Sequence, residues 1–264
     1  MKSYKKKTAA EINAVMTELR KLAKKRDSHC PLPPEYRHIH EFHDGQYATN
    51  EFVLPYTKAA CNLNADVMLI LQDWSSVDVL AGSFDSHQAQ TGQSLGFRTN
   101  ENLRAWLKKH LGLRFCDTYA TDVVPFAKPG GKSAKLCSKM LSDCALQYTK
   151  HEIELIRPCV ALCFGGATYR AVFRAFHSRY PTKPFNNEYF DISHTISQDP
   201  CVTRIVHMSH PAASTTREDR LNEWTKAREH LNELCPEYPK TIAGPNRQCP
   251  LHHQQPSTCQ NECI

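Results

Sequence analysis

The amino-acid sequence predicts an α/β fold, a three-layer α/β/α sandwich around a mainly parallel, four-stranded sheet. Two observations predict it. Four short apolar runs rich in Val and Ile each end in a polar or turn-forming segment, as buried strands of a parallel sheet do. Helical patterns lie between and after these runs, and this alternation is typical of a sheet covered by helices on both faces. Sites in such sheets form at the carboxyl ends of the strands, so we expect the functional residues there.

The N-terminal segment predicts a basic amphipathic helix over residues 8–26, because its apolar residues recur at helical spacing beneath a lysine-rich face. The favoured interpretation is a solvated surface helix that packs on the core. The predicted organisation is a basic helix (1–30), an α/β domain (31–239) and a Cys/His-containing tail (240–264).

The elements of the α/β domain follow in order along the chain. The strands are predicted at residues 67–71, 119–124, 159–164 and 204–208. The helices are predicted at residues 100–111, 135–156, 167–177 and 217–233.

Composition narrows the class of protein. Hydrophobic residues make up 41% of the 264 residues, which is enough for a substantial core, and no apolar run is long enough to span a membrane. The basic N-terminus is followed by no apolar stretch, so a secretory signal is not expected. Twelve cysteines without such a signal indicate reduced thiols in a cytoplasmic protein. The net charge of +6 favours a polyanionic partner without requiring one.

Two residues at strand ends are candidates for catalysis. Asp73 follows the first predicted strand within Gln72-Asp73-Trp74, and His210 follows the last within His210-Pro211-Ala212. Alone, an Asp after a strand is usually a helix cap and a His-Pro pair is usually a turn. Because a parallel sheet can bring both strand ends to one rim, we expect the two side chains to meet.

Over residues 60–235, the chain resembles the uracil-DNA glycosylase superfamily. Gln72-Asp73 is similar to the Gln-Asp-Pro loop of one branch, with Trp74 in place of Pro, and His210-Pro211 is similar to the family's His-Pro-Ser loop. Three further segments resemble family motifs in the same order: residues 92–97, residues 121–125, and residues 153–158 followed by residues 164–167. The resemblance depends on the order and spacing of these motifs together.

The resemblance implies an enzyme that flips a nucleotide out of double-stranded DNA and breaks the N-glycosidic bond. Asp73 would stabilise the cationic sugar and orient the attacking water, while His210 would donate a hydrogen bond to the departing base. Phe97 would stack on the base, and Gln72 is a further base-recognition residue. Trp74 is a second stacking candidate, although a role in the core is equally open.

Asp122 is the most informative departure from the family pattern. It stands where uracil-removing members have an Asn whose amide donates to uracil O4 and accepts from N3–H. An Asp carboxylate cannot donate to O4, whereas it accepts from the amine of cytosine and, once protonated, donates to cytosine N3. The substrate inferred is a cytosine carrying a bulky 5-substituent, with room left by small residues near His210. The chain thus resembles antiphage glycosylases that attack glucosylated hydroxymethylcytosine. If the strand is misaligned, Asp122 is a structural carboxylate.

DNA contacts are expected from basic and polar loop residues. Lys128 and Lys132, with Lys135, are candidates for backbone contacts, and a solvated loop is the equal alternative. Ser214 and Arg217 follow His210, and the residue that fills the gap of the flipped base is sought among Thr215, Thr216 and Arg217.

No metal or other cofactor is expected. Some branches of the superfamily that the chain resembles hold an iron–sulfur cluster through an N-terminal Cys pair and two central Cys. Here Cys144 matches one of the central ligands, but Phe126 stands where the other should be and Cys30 has no close partner in the sequence. His38, His40 and His43 suggest a metal hydrolase only weakly, and a zinc site in the tail (Cys249, His252, His253, Cys259 and Cys263) has irregular spacing.

Several interpretations of the function remain open. The absence of an obvious Schiff-base lysine favours a monofunctional glycosylase, and no protein partner is expected. A uracil or mismatch repair enzyme, a non-catalytic reader of modified bases and a metal hydrolase are the rival interpretations.

Overall fold

The protein is built around one mixed β-sheet. A computed structural model describes residues 6–30, 33–177, 189–196, 199–236 and 238. Its five strands lie in the order β2-β1-β3-β5-β4. Their bounds are β1 Val67–Asp73, β2 Tyr119–Val124, β3 Val160–Phe164, β4 Tyr189–Ile196 and β5 Asp199–Met208. All neighbouring strands are parallel except β4, which is antiparallel to β5. The predicted α/β fold with a mainly parallel sheet is confirmed, but the predicted number of strands is wrong.

The strand that was not predicted is β4, at the edge of the sheet. Along it, half-buried Phe190 and Ile192 and buried His194 alternate with exposed Tyr189, Asp191 and Ser193. Alternation of this kind is typical of an antiparallel strand with one solvated face. The sequence prediction looked for continuous apolar runs, which only strands buried on both faces contain.

Eight α-helices and shorter helical turns surround the sheet in the part of the chain described. The α-helices are α1 Ala9–Ser28, α2 Val77–Leu80, α3 Ser86–Thr91, α4 Arg98–Trp106, α5 Ser138–Cys144, α6 Lys150–Ile156, α7 Gly166–Phe176 and α8 Arg217–Leu234. Helix α4 continues into a π-helical turn, Leu107–Leu111, and a second π-helical turn, Ala145–Thr149, joins α5 to α6. The 3-10 turns are Ile39–Glu41, His43–Gly45, Pro55–Ala59 and Phe115–Asp117.

Helices pack on both faces of the sheet, and β1 shows why its sequence is a continuous apolar run. Met68 and Ile70 belong to the core shared with α1, α5, α6 and α7. Val67, Leu69 and Leu71 belong to the opposite core, shared with α4 and α8. Because successive side chains of a strand point to opposite faces, both sets must be apolar.

Helix α1 packs directly on the α/β domain. Its residues Val15 and Leu19 lie in the same core as β1. Near its end, buried Arg26 donates to the carbonyl oxygens of Thr49 at 2.9 Å and Val53 at 2.6 Å. The helix is therefore tied into the fold, while the tail at 240–264 lies outside the described residues.

Two expectations from the sequence concern membrane-spanning helices and the oxidation state of the cysteines. Among the described residues, no helix combines the length and the apolar character that crossing a bilayer requires. Cys144, Cys159 and Cys163 are buried thiols, whereas Cys61 is disulfide-bonded. The expectation that the thiols are reduced is therefore wrong for Cys61.

Candidate active site

The carboxyl ends of β1 and β2 and the loop after β5 surround a cavity of about 430 Å³. This size lies in the range of pockets that hold small organic ligands. Most of the predicted site residues line it, namely Gln72, Asp73, Trp74, Phe97, Asp122, Lys128, Lys132 and His210. The structure thus brings together segments that are far apart in the sequence.

Asp73 is the last residue of β1 and forms an ion pair with Lys128. The Lys128 Nζ lies 2.9 Å from Asp73 Oδ2. Backbone pairing beyond the sheet creates this contact, since the amide of Lys128 donates to Ser75 O at 3.3 Å and that of Val77 donates to Lys128 O at 2.8 Å. The Lys128 ammonium also donates to Lys132 O at 2.6 Å.

Lys128 is 5% exposed, and this burial does not fit the expected contact with a DNA phosphate. Its ammonium faces Asp73 inside the cavity, so its charge acts on that carboxyl. Burial raises the pKa of Asp73 above its ordinary value, and Lys128 and then His210 oppose this rise. The ion pair therefore favours the carboxylate form of Asp73.

His210 is held at the cavity by contacts on both sides of its loop. The preceding residue, Ser209, donates to Glu223 of α8 through its amide at 3.1 Å and its hydroxyl at 2.6 Å. After His210, the amide of Asn102 on α4 donates to Pro211 O at 2.8 Å. These hydrogen bonds restrain the loop between α4 and α8.

The tautomer of His210 follows from its own loop. The backbone amide of Ala212 donates to His210 Nδ1 at 3.1 Å, so the neutral ring carries its proton on Nε2. Burial lowers the pKa of His210, with Asp73 raising it and Lys128 lowering it further. At neutral pH the ring is therefore a neutral hydrogen-bond donor.

Asp122 lies on β2 beside Leu71 of β1 and is 2% exposed. Its Oδ2 is buried without a hydrogen-bond partner among the described residues. Burial raises its pKa well above the ordinary value, and the charges of Asp73 and Glu152 add to that effect. Because an unpaired buried carboxylate is very costly, the site favours the neutral carboxyl form of Asp122, which has one hydroxyl donor and one carbonyl acceptor.

Glu152 on α6 is a buried acid that the sequence analysis missed. Its carboxylate accepts from Tyr119 Oη at 2.7 Å and from Thr121 Oγ1 at 3.0 Å. Burial raises its pKa to about 7. The sequence spacing could have indicated that Glu152 is buried. Glu152 lies four residues from both Tyr148 and Ile156, so the three side chains share one apolar helix face.

The aromatic residues take different places in the site. Trp74 Nε1 donates to Gly92 O at 2.7 Å and its ring packs on Tyr47, so Trp74 lines the cavity and also fills the core. Phe97 is 38% exposed, with Lys132 Nζ 4.9 Å from its ring centroid. Tyr56 and Asn100, which the sequence analysis did not select, line the wall and share a hydrogen bond of 3.1 Å.

The remaining predicted DNA contacts lie outside the cavity. Ser214 is exposed in the loop after His210, and exposed Arg217 is the first residue of α8. Thr216 caps that helix, its hydroxyl accepting from Asp219 N at 3.0 Å.

The residues predicted for metal sites are arranged differently. His38 and His40 have ligand atoms near those of Asp27, whereas His43 Nε2 contacts Gly82 O at 3.0 Å. Of the two cysteines considered for an iron–sulfur cluster, Cys30 is exposed, and buried Cys144 contacts Met140 Sδ. Phe126, which stands where a further ligand would be, packs among the rings of His29, His38 and Tyr148. This aromatic surrounding does not fit an iron–sulfur cluster, which needs convergent thiolates. The predicted zinc site in the tail lies outside the described residues.

Comparison with known families agrees with this geometry. The family model described as the uracil DNA glycosylase superfamily matches residues 76–233, which is more than half of the 264-residue chain. The chain belongs to the uracil-DNA glycosylase superfamily. Members of this superfamily are DNA glycosylases, hydrolases that act on DNA. None of the curated proteins compared with the sequence matches it.

The match includes Asp122, Lys128 and His210 but begins after Asp73. Asp73 is therefore assigned to the candidate site by its position in the structure. The residue lies on the cavity wall beside Lys128, and its charge also influences the pKa of His210.

Proposed function

We propose that this protein is a monofunctional DNA glycosylase that removes a modified cytosine from double-stranded DNA and leaves an abasic site. The substrate is a cytosine with a bulky 5-substituent, such as glucosylated 5-hydroxymethylcytosine of phage DNA, and the role is antiphage defence in the cytoplasm. The reaction needs no cofactor and no protein partner. The observation that carries the substrate proposal is the buried Asp122, whose Oδ2 has no partner in the described residues of a cavity that also contains Asp73 and His210.

The first step breaks the bond between C1′ of the sugar and N1 of the base. The bonding electron pair leaves with the base, and positive charge develops on the sugar. Asp73 is kept as a carboxylate by Lys128 and stabilises that positive charge. His210 Nε2–H donates to the base oxygen as it gains negative charge.

Asp122 assists departure of the base. As a neutral carboxyl group, it donates its proton toward cytosine N3 and accepts from the exocyclic amine. Transfer of the proton to N3 lets the base leave as a neutral molecule rather than as an unstable anion. A water oriented by Asp73 then adds its oxygen to C1′ and loses a proton to the Asp73 carboxylate. Exchange with solvent restores both acids.

The neutral state of Asp122 changes the reason for preferring cytosine. A neutral carboxyl group can also pair with uracil, donating to O4 and accepting from N3–H. Pairing alone therefore does not reject uracil. The preference for cytosine depends on the leaving group, because cytosine gains more from a proton at N3. Uracil DNA is consequently an essential comparison.

The test is incubation of the purified protein with four DNA duplexes that carry cytosine, uracil, 5-hydroxymethylcytosine or glucosylated 5-hydroxymethylcytosine. Abasic sites are scored by alkaline cleavage. The variants are Asp73→Ala and, as a matched control, Asp143→Ala, which removes an exposed carboxylate paired with Lys139 on α5. We expect cleavage of a modified-cytosine duplex by the wild type and the control, and none by Asp73→Ala.

The other outcomes each reject part of the proposal. Cleavage of uracil DNA alone would support a repair enzyme and reject the modified-cytosine substrate. Tight binding to modified DNA without abasic product would indicate a reader. Activity that a chelator abolishes would reject the metal-independent reaction.

A further inference from the structure

We propose that Asp66, Cys159 and Cys235 form a structural zinc site at the end of the sheet opposite the candidate active site. Ligand atoms of these three side chains all lie within 4.8 Å of one another. Thiolates and carboxylates are both zinc ligands in proteins, and a water molecule can fill the fourth position of the tetrahedron. This inference goes beyond the proposed function and does not depend on it.

The three ligands come from the amino-terminal ends of two strands and from the end of the last helix. Asp66 directly precedes β1, Cys159 directly precedes β3, and Cys235 directly follows α8. The active-site cavity lies at the other end of β1, a strand of seven residues, and is therefore about 20 Å away. A zinc ion here would tie α8 to the sheet and take no part in the chemistry of the cavity.

The distance between two of the ligands fits zinc. Cys235 Sγ lies 3.6 Å from Asp66 Oδ1. Zinc bonds of about 2.3 Å to sulfur and about 2.0 Å to oxygen, at a tetrahedral angle, place the two ligand atoms about 3.5 Å apart. Cys235 and Asp66 therefore already have the spacing of two ligands that share one ion.

The fold holds the three ligands in place before any ion binds. The backbone carbonyl of Asp66 accepts from the amide of Val160 at 3.0 Å, which fixes Asp66 beside Cys159. The amide of Cys235 donates to Leu231 O at 2.8 Å. The two thiols are 1% and 6% exposed, and the Asp66 side chain is 12% exposed. Buried, preorganised ligands lose little conformational entropy when they bind an ion.

Lys6 balances the charge of such a site. Its ammonium lies 2.7 Å from Asp66 Oδ1 and also donates to Asn64 O at 3.1 Å. Two thiolates and a carboxylate carry three negative charges, which a divalent ion and the Lys6 ammonium neutralise together. Carboxylates that bind a metal are commonly hydrogen-bonded in this way by a second group.

A second group of potential ligands, formed by Asp27, His38 and His40, is less suited to a cation. The guanidinium of the buried Arg26 lies 2.7 Å from Asp27 Oδ1. Two neutral imidazoles add no negative charge, so a divalent ion beside Arg26 would leave an excess of positive charge. The thiol-containing site is therefore the better candidate, and the histidine group supplies a control.

The test measures metal binding by the full-length protein, which is kept reduced and freed of metal with a chelator. Cobalt(II) is the probe, because thiolate ligands give it a charge-transfer absorption, and added zinc displaces it. The ligand variants are Cys159→Ser, Cys235→Ser and Asp66→Asn. Cys163→Ser is the matched control, since it removes another buried thiol from β3, and His40→Ala tests the histidine group.

We expect the wild type to bind cobalt with thiolate absorption, and zinc to raise its melting temperature. Cys159→Ser and Cys235→Ser should each lose one bound equivalent together with its absorption. Asp66→Asn should weaken binding roughly tenfold or more. Cys163→Ser and His40→Ala should bind as the wild type does.

Two results would overturn the site. One is the absence of thiolate–cobalt absorption in the reduced wild type, and the other is its full persistence in Cys159→Ser and Cys235→Ser. If both cysteine variants fail to fold, Asp66→Asn decides, because an unchanged affinity for cobalt would reject the site. None of these readouts depends on glycosylase activity.

Discussion

The ammonium of the buried Lys128 lies 2.9 Å from the half-buried Asp73 carboxylate in the wall of the candidate active site. Removing one partner of a buried ion pair leaves the other charge uncompensated. Asp73 has two properties that conflict, because its position suits a negative charge on the reaction path while its burial disfavours that charge. The ion pair with Lys128 opposes the effect of burial on Asp73.

Replacement of Lys128 with Met should therefore reduce activity through Asp73. Without the cation, the pKa of Asp73 rises further, so more of the carboxyl is protonated at neutral pH. We expect activity at pH 7 to fall roughly tenfold or more and the acid limb of the pH–rate profile to move to higher pH. Lys128→Arg keeps the charge and should retain the wild-type limb. Parallel loss of activity at every pH would contradict this role.

Conversion of Asp122 to Asn should change which base is removed. An amide cannot deliver a proton to cytosine N3, whereas it can donate to uracil O4 and accept from N3–H. We expect at least about a hundredfold loss on modified-cytosine DNA and little change on uracil DNA, with which the neutral Asp122 carboxyl can already pair; both activities are measured as abasic sites. A folded variant with an unchanged ratio of the two activities would mean that Asp122 does not face the base.

Truncation of His210 to Ala should remove a hydrogen bond made mainly in the transition state. Loss of one preorganised donor costs about 10²- to 10³-fold in kcat, and KM should change little. Burial lowers the pKa of His210 and so favours the neutral ring. The activity of the wild-type enzyme should therefore not require protonation of His210. The measurement is single-turnover kinetics across pH, and a large rise in KM with normal kcat would assign His210 to binding instead.

Glu152 should make the folded state less stable as pH rises. Its folded-state pKa of about 7 lies above the ordinary value of 4.5, so only the unfolded chain ionises this group between those values. The contribution of Glu152 to the free energy of unfolding is highest below pH 4.5 and decreases as the pH rises to 7. Between pH 4.5 and 7, the free energy of unfolding of Glu152→Gln should therefore rise relative to that of the wild type by up to about 3 kcal/mol. Urea unfolding measures this difference.

A matched variant separates this effect from general changes of charge. Glu154→Gln alters an exposed glutamate on the same helix and should show no such gain. A difference between Glu152→Gln and the wild type that does not vary with pH would contradict the raised pKa.

Gly92 should tolerate no side chain. A Cβ at this position would lie 1.9 Å from the carbonyl oxygen of Pro55, and the residue has a left-handed φ of 77°. We expect Gly92→Ala to lower the unfolding free energy by about 2–4 kcal/mol and to disturb Trp74, which donates to Gly92 O. Gly96→Ala has a similar φ but open space, so its cost should be only about 1–2 kcal/mol. Equal melting temperatures for both variants would contradict the clash.

The sequence predicted the buried strands of the sheet and the ends at which the site forms. Residues 119–124 were predicted as a strand and form β2, because both faces of that strand are covered and its local apolar pattern is continuous. The edge strand β4 was missed because only one of its faces is buried. The position of Asp73 and His210 at one rim followed from parallel strand order, a rule that needs no atomic distances.

Charge states in the site could not be predicted in this way. Lys128 was expected at the DNA surface, yet backbone pairing with Ser75 and Val77 directs it to Asp73. Asp122 was considered both as a carboxylate and as a protonated acid, and its burial, which raises its pKa, favours the protonated form. Glu152 raises the pKa of Asp122, although the two residues come from different elements.

By itself, the sequence determined the α/β architecture, the acid and histidine at the strand ends and the resemblance to a DNA glycosylase superfamily. Those features depend on hydrophobic periodicity and residue order, which are local properties of a chain. Only the tertiary structure decided which cation pairs with Asp73 and which acids have a raised pKa. These depend on burial and on distances between residues remote in sequence, because electrostatic energy varies with the surrounding solvent and with separation in space.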